Sequence, residues 1–198
     1  MPIDVSTLDP DPIRQLDLWV REAAQAGVSL PNAFALATAD SDGMPSVRFV
    51  LLQGLDADGL RFFSNRSSRK GRDLAINPWS AAAFWWPALD RQARVTGPVR
   101  LLPEEESLAY WRTRPRGSQL SAAASRQGEE IGARTDLEAL VSALSSQHPD
   151  DVPLPGTWGG YLLVPERIEF WTSQPDRLHD RIEYVAEAGG WRRRRLQP

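Results

Sequence analysis

Apolar side chains recur at intervals of three and four near the start of the chain. In DPDPIRQLDLWVREAAQAGV they are Ile13, Leu16, Trp19, Val20 and Ala23. That spacing predicts an amphipathic helix beginning near Asp11, with Gly27 as its stop. The period then changes. AFALATA is compact and apolar, DSDG is turn chemistry, and PSVRFVLLQ is β-branched and mostly apolar; LDADG turns again before LRFFS. Two hairpins in succession predict an antiparallel meander. RKGRDLAINP reads as a short helix ended by Asn77-Pro78, because a residue before proline leaves the helical region. SAAAFWW and RQARVTGPVRLL read as two further strands. PEEESLAYWRTR opens with proline and three acids and sets Leu108 and Trp111 on one side, the signature of a helix that Pro115 should end. ARTDLEALVSALSSQ predicts another helix, and HPDDVPLPGTWGG is a loop. YLLVPERIEFW, DRIEYVA and WRRRRLQ suggest closing strands, the last two joined by the turn EAGG.

Strands grouped as hairpins with helices between them predict an antiparallel α+β fold, a closed or partly closed barrel. No internal repeat, low-complexity tract or long linker interrupts the pattern, so residues 1–198 are expected to form one domain, with the helical segment 1–28 packed on it. The alternation of strands and helices that builds a doubly wound sheet is missing. So are the Gly-x-Gly-x-x-Gly and Walker loops, and with them the usual nucleotide folds.

Composition narrows the chemistry. The chain has no cysteine, which excludes disulfides, thiolate nucleophiles and Cys-ligated zinc. Its two histidines, His148 and His179, cannot make a three-histidine metal site within one chain, and no metal site is expected. The N-terminus MPIDVSTLDPDP carries acids where a signal peptide needs a basic patch, and the longest apolar run, AAAFWWPAL, is too short to cross a bilayer. A cytoplasmic protein without a membrane partner is the expectation by elimination. Eight tryptophans are many for 198 residues; about half are expected in the core, and the rest hint at flat binding surfaces or a large interface.

Charge is distributed unevenly. The net charge is −3, yet SNRSSRKGR (residues 64–72) packs four basic side chains and three serines with no acid, and Lys70 is the only lysine in the chain. Hydroxyls, guanidinium forks and an ammonium just before a helix make a receptor for a phosphate, to which backbone N–H groups at Ser67 to Arg69 would add. The same window also reads as a solvated basic turn. A nucleic-acid patch is disfavoured by the acidic balance and the lack of interleaved aromatics.

RTRPRGSQ repeats the theme with Arg114, Arg116 and Ser118, and Tyr110 one helical turn earlier; the alternative is a basic helix end favoured by the helix dipole. On a strand, RLHDR would point Arg177, His179 and Arg181 to one face, an electrostatic cost unless something anionic or electron-rich sits between them; the alternative is a surface strand edge. The tail WRRRRLQP invites a nucleic-acid or membrane reading, but a strand with a polar outer face explains it more simply. No Gly-x-Ser-x-Gly elbow is present, and PEEE is a helix start.

In combination these stretches resemble the pyridoxine/pyridoxamine 5′-phosphate oxidase family, FMN enzymes with a Greek-key split β-barrel. The match runs in order through ALATADSDGMPSVRFVLLQ, FFSNRSSRKG, NPWSAAAFWW, LDRQARVTGPV, YWRTRPRGSQLSAAASRQ, WGGY, IEFW, RLHDRIEY and RRLQP, roughly residues 30–198. The resemblance implies that Arg48, Phe49, Val50, Leu51 and Leu52 line the flavin, with Phe63, Ser64, Arg69 and Lys70 around its phosphate. Gln92, Gln127, Gly128, Trp171 and Arg181 would complete the cofactor site. It further implies that Tyr110, Arg114 and Ser118 meet the phosphate of a pyridine substrate, with Gln53 beside it. Arg177 and His179, the catalytic candidates, would hold the pyridine ring against the flavin. The cofactor would lie between two subunits of a homodimer, and O2 would be the electron acceptor.

The chain departs from the family pattern in three places. The strand that begins at Arg48 ends in Gln53 where the family usually has a lysine, a lost charge-assisted bond worth on the order of 1–3 kcal/mol. The helix begins near Asp11 without the family's longer N-terminal extension, and Gly128 stands where a serine is frequent. Two alternatives remain beside a vitamin B6 phosphate oxidase. One is a related flavin oxidase with another substrate, such as a phenazine precursor. The other is a non-catalytic FMN- or pyridoxal-phosphate-binding protein.

Overall fold

A computed structural model describes residues 3–198. Helix α1 (Pro12–Gln25) starts where Asp11 accepts a hydrogen bond from the N–H of Ile13 at 2.9 Å, with Pro12 in the first turn. Its apolar stripe of Ile13, Leu16, Trp19 and Ala23 is buried. Trp19 lies edge-on to Phe170 at 4.9 Å and to Trp86 at 6.2 Å, so α1 closes one side of the core.

Ten antiparallel strands follow. The pair β1 (Ala33–Ala39) and β2 (Pro45–Leu51) forms the first hairpin, and β3 (Gly54–Asp56) and β4 (Gly59–Asn65) the second. The two do not join into a meander, contrary to the sequence expectation. The N–H of Leu52 donates to Asn32 O at 2.8 Å, whereas that of the next residue, Gln53, donates to Arg61 O at 2.9 Å. Consecutive amides therefore commit to different sheets, and the chain crosses between them at this point. Accordingly β1 pairs with β5 (Trp79–Trp86), and β4 pairs with β7 (Trp158–Leu163).

The long strand β6 (Arg91–Leu101) divides its length between both sheets. Arg91–Thr96 pairs with β8 (Arg167–Thr172), while Val99–Leu101 pairs with β7. The main sheet then runs β10-β9-β8-β6-β5-β1-β2, with β9 spanning Asp180–Glu187 and β10 Gly190–Arg195. This is an antiparallel α+β barrel, split between two sheets. Its interior is filled by Phe34, Leu36, Phe62, Phe84, Trp86, Val95, Phe170, Ile182 and Tyr184. Four of the eight tryptophans, Trp19, Trp86, Trp111 and Trp158, are buried.

The helices at Arg69–Ile76 (α2), Glu104–Thr113 (α3) and Arg134–Gln147 (α5) lie where the sequence predicts. A further helix, α4 (Arg116–Ala124), was not predicted. Pro115 ends α3, but it also caps the start of α4, because its fixed φ suits a helix N-terminus as well as a stop. Below α3 and α4 a second small core gathers Trp111, Leu120, Val152 and Trp158.

The arginine tail takes the simpler of its two readings. Arg194 pairs with Glu183, Arg195 with Asp180 and Asp4, and Arg192 with Glu187. Among the described residues no helix is long and apolar enough to cross a membrane.

Candidate functional site

The basic knot disperses as the chain folds. Lys70, in the first turn of α2, turns inward and is only 6% exposed; its Nζ donates to Ser68 Oγ at 2.9 Å and to Gln127 Oε1 at 3.0 Å. Arg69 stays exposed, Arg72 bonds the carbonyl of Ser67, and Arg66 passes to the other face of β7. The backbone donors expected at Ser67 and Ser68 are already used: these N–H groups bond Asn65 Oδ1 at 2.8 Å and Asn65 O at 3.3 Å. Ser68 caps α2 without a side-chain bond to its N–H groups, since its hydroxyl serves Asn65 O and Lys70.

Lys70 shares its surroundings with Arg48 on β2. Burial, reinforced by the charge of Arg48, holds the Lys70 ammonium down at about 8. The Arg48 guanidinium donates to Leu36 O at 3.1 Å and Thr38 Oγ1 at 2.8 Å, also bonds Ser46, and lies 3.8 Å from Asp73. Burial pulls its pKa down, Asp73 opposes the shift, and Arg69 adds to it. Asp73 is itself buried, accepting from Thr38 Oγ1 at 2.6 Å and Ser46 Oγ at 3.0 Å. Of the three neighbouring cations Arg48, Arg69 and Lys70, only Arg48 has a carboxylate, Asp73, within 4 Å among the described residues. A buried ammonium with only neutral partners is costly, and a phosphate dianion supplies the missing charge. The residues present therefore fit the phosphate of a flavin mononucleotide.

Next to Lys70 opens a cavity of about 490 Å³, lined by Phe63, Ser64, Asn65, Arg114, Ser118, Gln127 and Trp158, among others. Gln127 bridges cluster and cavity: its Oε1 accepts from Lys70 and lies 3.4 Å from Ser64 Oγ. Arg114, just after α3, stands over the rings of Trp158 at 4.7 Å and Trp111 at 5.3 Å. Its Nη2 donates to Ser118 O at 3.1 Å, and no carboxylate pairs with it among the described residues. Burial lowers the Arg114 pKa, with Tyr110 opposing, and burial raises that of Tyr110, with Arg114 opposing. Tyr110 stacks on Phe63 at 3.9 Å, which fixes the aromatic floor. The result is a half-buried guanidinium without a carboxylate, backed by flat rings, an arrangement chemically suited to an anion.

Other residues named from the sequence lie elsewhere. Gln92 faces Trp171 across β6 and β8, and Trp171 faces Arg181 across β8 and β9, with Trp85 beyond Gln92 on β5. These form one row on the outer face of the main sheet. Arg181 is held by buried Glu169 through Nε at 2.8 Å and Nη2 at 3.1 Å, which raises its pKa. His179 rests against Trp171 at 4.7 Å, and its Nδ1 accepts from the N–H of Gln174 at 3.2 Å, leaving Nε2 to carry the ring proton.

Arg177 and His179 do not share a strand face with Arg181, as the alternation predicted. Pro175–Arg177 is a 3-10 turn in which Asp176 (φ 57°) and Arg177 (φ 61°) are left-handed, so β9 begins only at Asp180. Asp180 is engaged by Arg195 and Gln174, and Arg177 extends into solvent. No hydrogen bond or ring contact among the described residues joins this row to the Lys70–Arg114 group.

Of the remaining candidates, Leu52 is buried and Val50 half-buried, while Phe49 and Leu51 are exposed. Gln53 is exposed at the crossing between sheets. Gly128 lines a different cavity, between the end of α4 and α5. Thr38, Ser46 and Asp73, which hold Arg48, were missed by the sequence reading. Their polar side chains carry no motif, and only pairing across β1, β2 and α2 brings them together.

Comparison with known proteins adds a second line of observation. The family model described as pyridoxamine 5′-phosphate oxidase matches residues 20–148, and that described as pyridoxine 5′-phosphate oxidase C-terminal dimerisation region matches residues 158–198. A protein of Rubrobacter xylanophilus named pyridoxine/pyridoxamine 5′-phosphate oxidase is 52% identical over 191 residues, covering 96% of this chain and 88% of the relative. One of the same name from Anaeromyxobacter dehalogenans is 51% identical over 199 residues and covers both chains in full, 100% of each. Among solved structures, PhzG from Burkholderia lata, in complex with tetrahydrophenazine-1-carboxylic acid, superposes with a TM-score of 0.94 at 32% identity, covering 100% of this chain and 98% of that one. An FMN-binding protein of Nostoc punctiforme shares the fold, with a TM-score of 0.76 at 18% identity, covering 90% of this chain and 95% of that one.

Proposed function

Because the chain belongs to the pyridoxamine 5′-phosphate oxidase family, we propose that it oxidises pyridoxine 5′-phosphate or pyridoxamine 5′-phosphate to pyridoxal 5′-phosphate. FMN is the cofactor and O2 the acceptor in this reading. The observation that carries it is a pair of cationic clusters short of negative charge, Lys70 with Arg48, whose one carboxylate is Asp73, and Arg114 with Ser118, joined through Gln127 at one cavity. One suits the phosphate of the cofactor, the other that of the substrate. The family relation extends over nearly the whole chain, and the relatives at about half identity bear the oxidase name.

In this mechanism Arg48, Arg69 and Lys70 hold the flavin phosphate, and Ser64 and Gln127 border it. Arg114 binds the substrate phosphate as a fixed, desolvated guanidinium, and the stacked Phe63, Tyr110 and Trp158 exclude water from that contact. Bound FMN would supply the redox chemistry, carrying a hydride from the substrate carbon and the proton of its hydroxyl or amine to O2 as hydrogen peroxide; for the amine, water would then hydrolyse the imine to the aldehyde and release ammonia. Gln92, Trp171 and Arg181 face outward with His179 and Arg177 beside them. They therefore complete the site by meeting the first group across a homodimer interface. There Arg181, steadied by Glu169, places positive charge next to the ring system, and His179 and Arg177 orient the pyridine. Residues 3–198 act as one domain, with the segment 3–28 packed on it; residues 1 and 2 of the expected domain lie outside the described residues.

A second reading has one specific observation behind it. Gln53 brings no charge where the family usually places a lysine, and the PhzG structure that superposes so closely holds a tricyclic carboxylate. The deciding experiment adds pyridoxine 5′-phosphate anaerobically to the FMN-loaded protein. Bleaching of the flavin band, followed by peroxide formation on admitting air, is the expected result. An unbleached flavin that a tetrahydrophenazine carboxylate reduces would transfer the assignment to the second reading. A flavin that neither compound reduces would leave a binding protein.

A further inference from the structure

Arg66, a basic residue of the knot that lies apart from the proposed cofactor group, occupies a cradle of its own. Its guanidinium lies flat on the backbone of β7: a Cβ at Gly159 would sit 2.3 Å from Nη2 and 2.7 Å from both Cζ and Nε. On the other side, a Cβ at Gly71 would meet the Arg66 carbonyl oxygen at 2.1 Å. Two glycines therefore make the room in which this arginine sits. Yet its Nε is buried without any hydrogen-bond partner, and no carboxylate pairs with Arg66 among the described residues. Leaving a buried donor unpaired is unfavourable, and native structures rarely keep one without a use.

The guanidinium borders a cavity of about 230 Å³ whose walls are Leu74 and Ala75 of α2, Val99 and Leu101 of β6, and Tyr161 of β7. Burial raises the pKa of the Tyr161 phenol, with the charge of Arg66 opposing, so the hydroxyl stays protonated as a donor. The cavity lies on the face of β7 opposite Trp158 and the Arg114 receptor, because alternate residues of a strand point to opposite sides.

We propose that this cavity is a second anion site, which takes a small organic carboxylate or phosphate monoester with a compact apolar body. Arg66 supplies the charged fork and Tyr161 a neutral donor. Leu74, Val99 and Leu101 receive the apolar part. An inorganic ion would satisfy the guanidinium but leave the apolar walls unfilled, so the organic anion is preferred. The volume suits a ligand of about ten non-hydrogen atoms rather than a dinucleotide.

The test is calorimetric titration of the FMN-saturated protein with benzoate, phenyl phosphate and inorganic phosphate. Because Arg114 also attracts anions, each titration is repeated on Arg114→Ala. The expected result is a binding event that Arg114→Ala retains and Arg66→Leu weakens at least tenfold, with an organic probe binding more tightly than inorganic phosphate. Arg66→Leu should also raise the melting temperature of the ligand-free protein by about 2–4 °C, since it removes an unpaired buried donor. Should Arg66→Leu fail to fold, Tyr161→Phe, which keeps the ring and deletes only the hydroxyl, should weaken the same event severalfold. Anion binding that survives both Arg66→Leu and Tyr161→Phe, no binding at ten millimolar probe, or binding of inorganic phosphate alone overturns the proposal.

Discussion

Lys70 shows how a single residue type acquires a role through its surroundings. An ammonium held near 8 by burial and by Arg48 is fully charged only below that pH. A bound phosphate dianion would raise its pKa again, so flavin binding takes up a proton on the alkaline side. Affinity for FMN is therefore highest below about pH 8 and falls as pH rises from there towards 10, which fluorescence titrations at pH 7 and 9.5 would show. In Lys70→Gln that slope should flatten, and affinity at pH 7 should drop by about 1.5–3 kcal/mol, the worth of a charged hydrogen bond. The free protein follows the opposite trend. With the folded pKa below the unfolded one, it gains stability as pH rises from 8 to 10.5. Gln53 is the complementary case. Gln53→Lys should tighten binding of the phosphorylated substrate by about 1–3 kcal/mol, seen as a lower KM with kcat little changed; an unchanged KM would place the substrate phosphate out of its reach.

Elements place these residues through packing and pairing. The row Gln92–Trp171–Arg181 exists because β6, β8 and β9 align in that register; a slip of one residue would turn the whole row into the barrel. Glu169, one rung along, anchors it. Burial alone would raise its carboxyl, but hydrogen bonds from Arg181 and Arg94 outweigh that and hold it below the usual carboxylate range. The outer helix α1 depends on Trp19, wedged between Phe170 and Trp86. Trp19→Ala should cost about 3–5 kcal/mol in chemical denaturation without altering the phosphate receptors, which share no contact with it.

At the scale of the whole molecule, the proposed pairing with a second copy of the chain makes its own predictions. The outward side of β2 exposes Val47 at 69% and Phe49 at 77%, and Trp85 on β5 is 51% exposed. An apolar face of this kind beside a half-complete site is what a subunit interface covers. Sedimentation should give twice the 22.1 kDa chain mass. Phe49→Asp should shift the protein to monomer and lower FMN affinity at least tenfold in parallel. A monomer that still binds FMN normally would show that one chain suffices for the site.

Periodicity and turn chemistry were enough to mark α1, α2, α3 and α5 and nearly every strand, because an amphipathic face or an alternation is a local property written in consecutive residues. The two basic clusters proposed as phosphate receptors stand out in the sequence for the same reason: SRKG and RPRGS carry their charges and hydroxyls within a few positions. What local pattern could not contain was decided by pairing between distant residues. The crossing of the chain at Leu52–Gln53 sends the second hairpin to the other sheet of the expected barrel instead of continuing a meander. The left-handed backbone at Asp176 and Arg177 took RLH off its strand, and cross-strand hydrogen bonds recruited Thr38, Ser46 and Asp73 around Arg48. Where Arg66 of the knot points depends on the space left by Gly159 on another strand. That is a matter of tertiary packing, and no spacing along the chain encodes it.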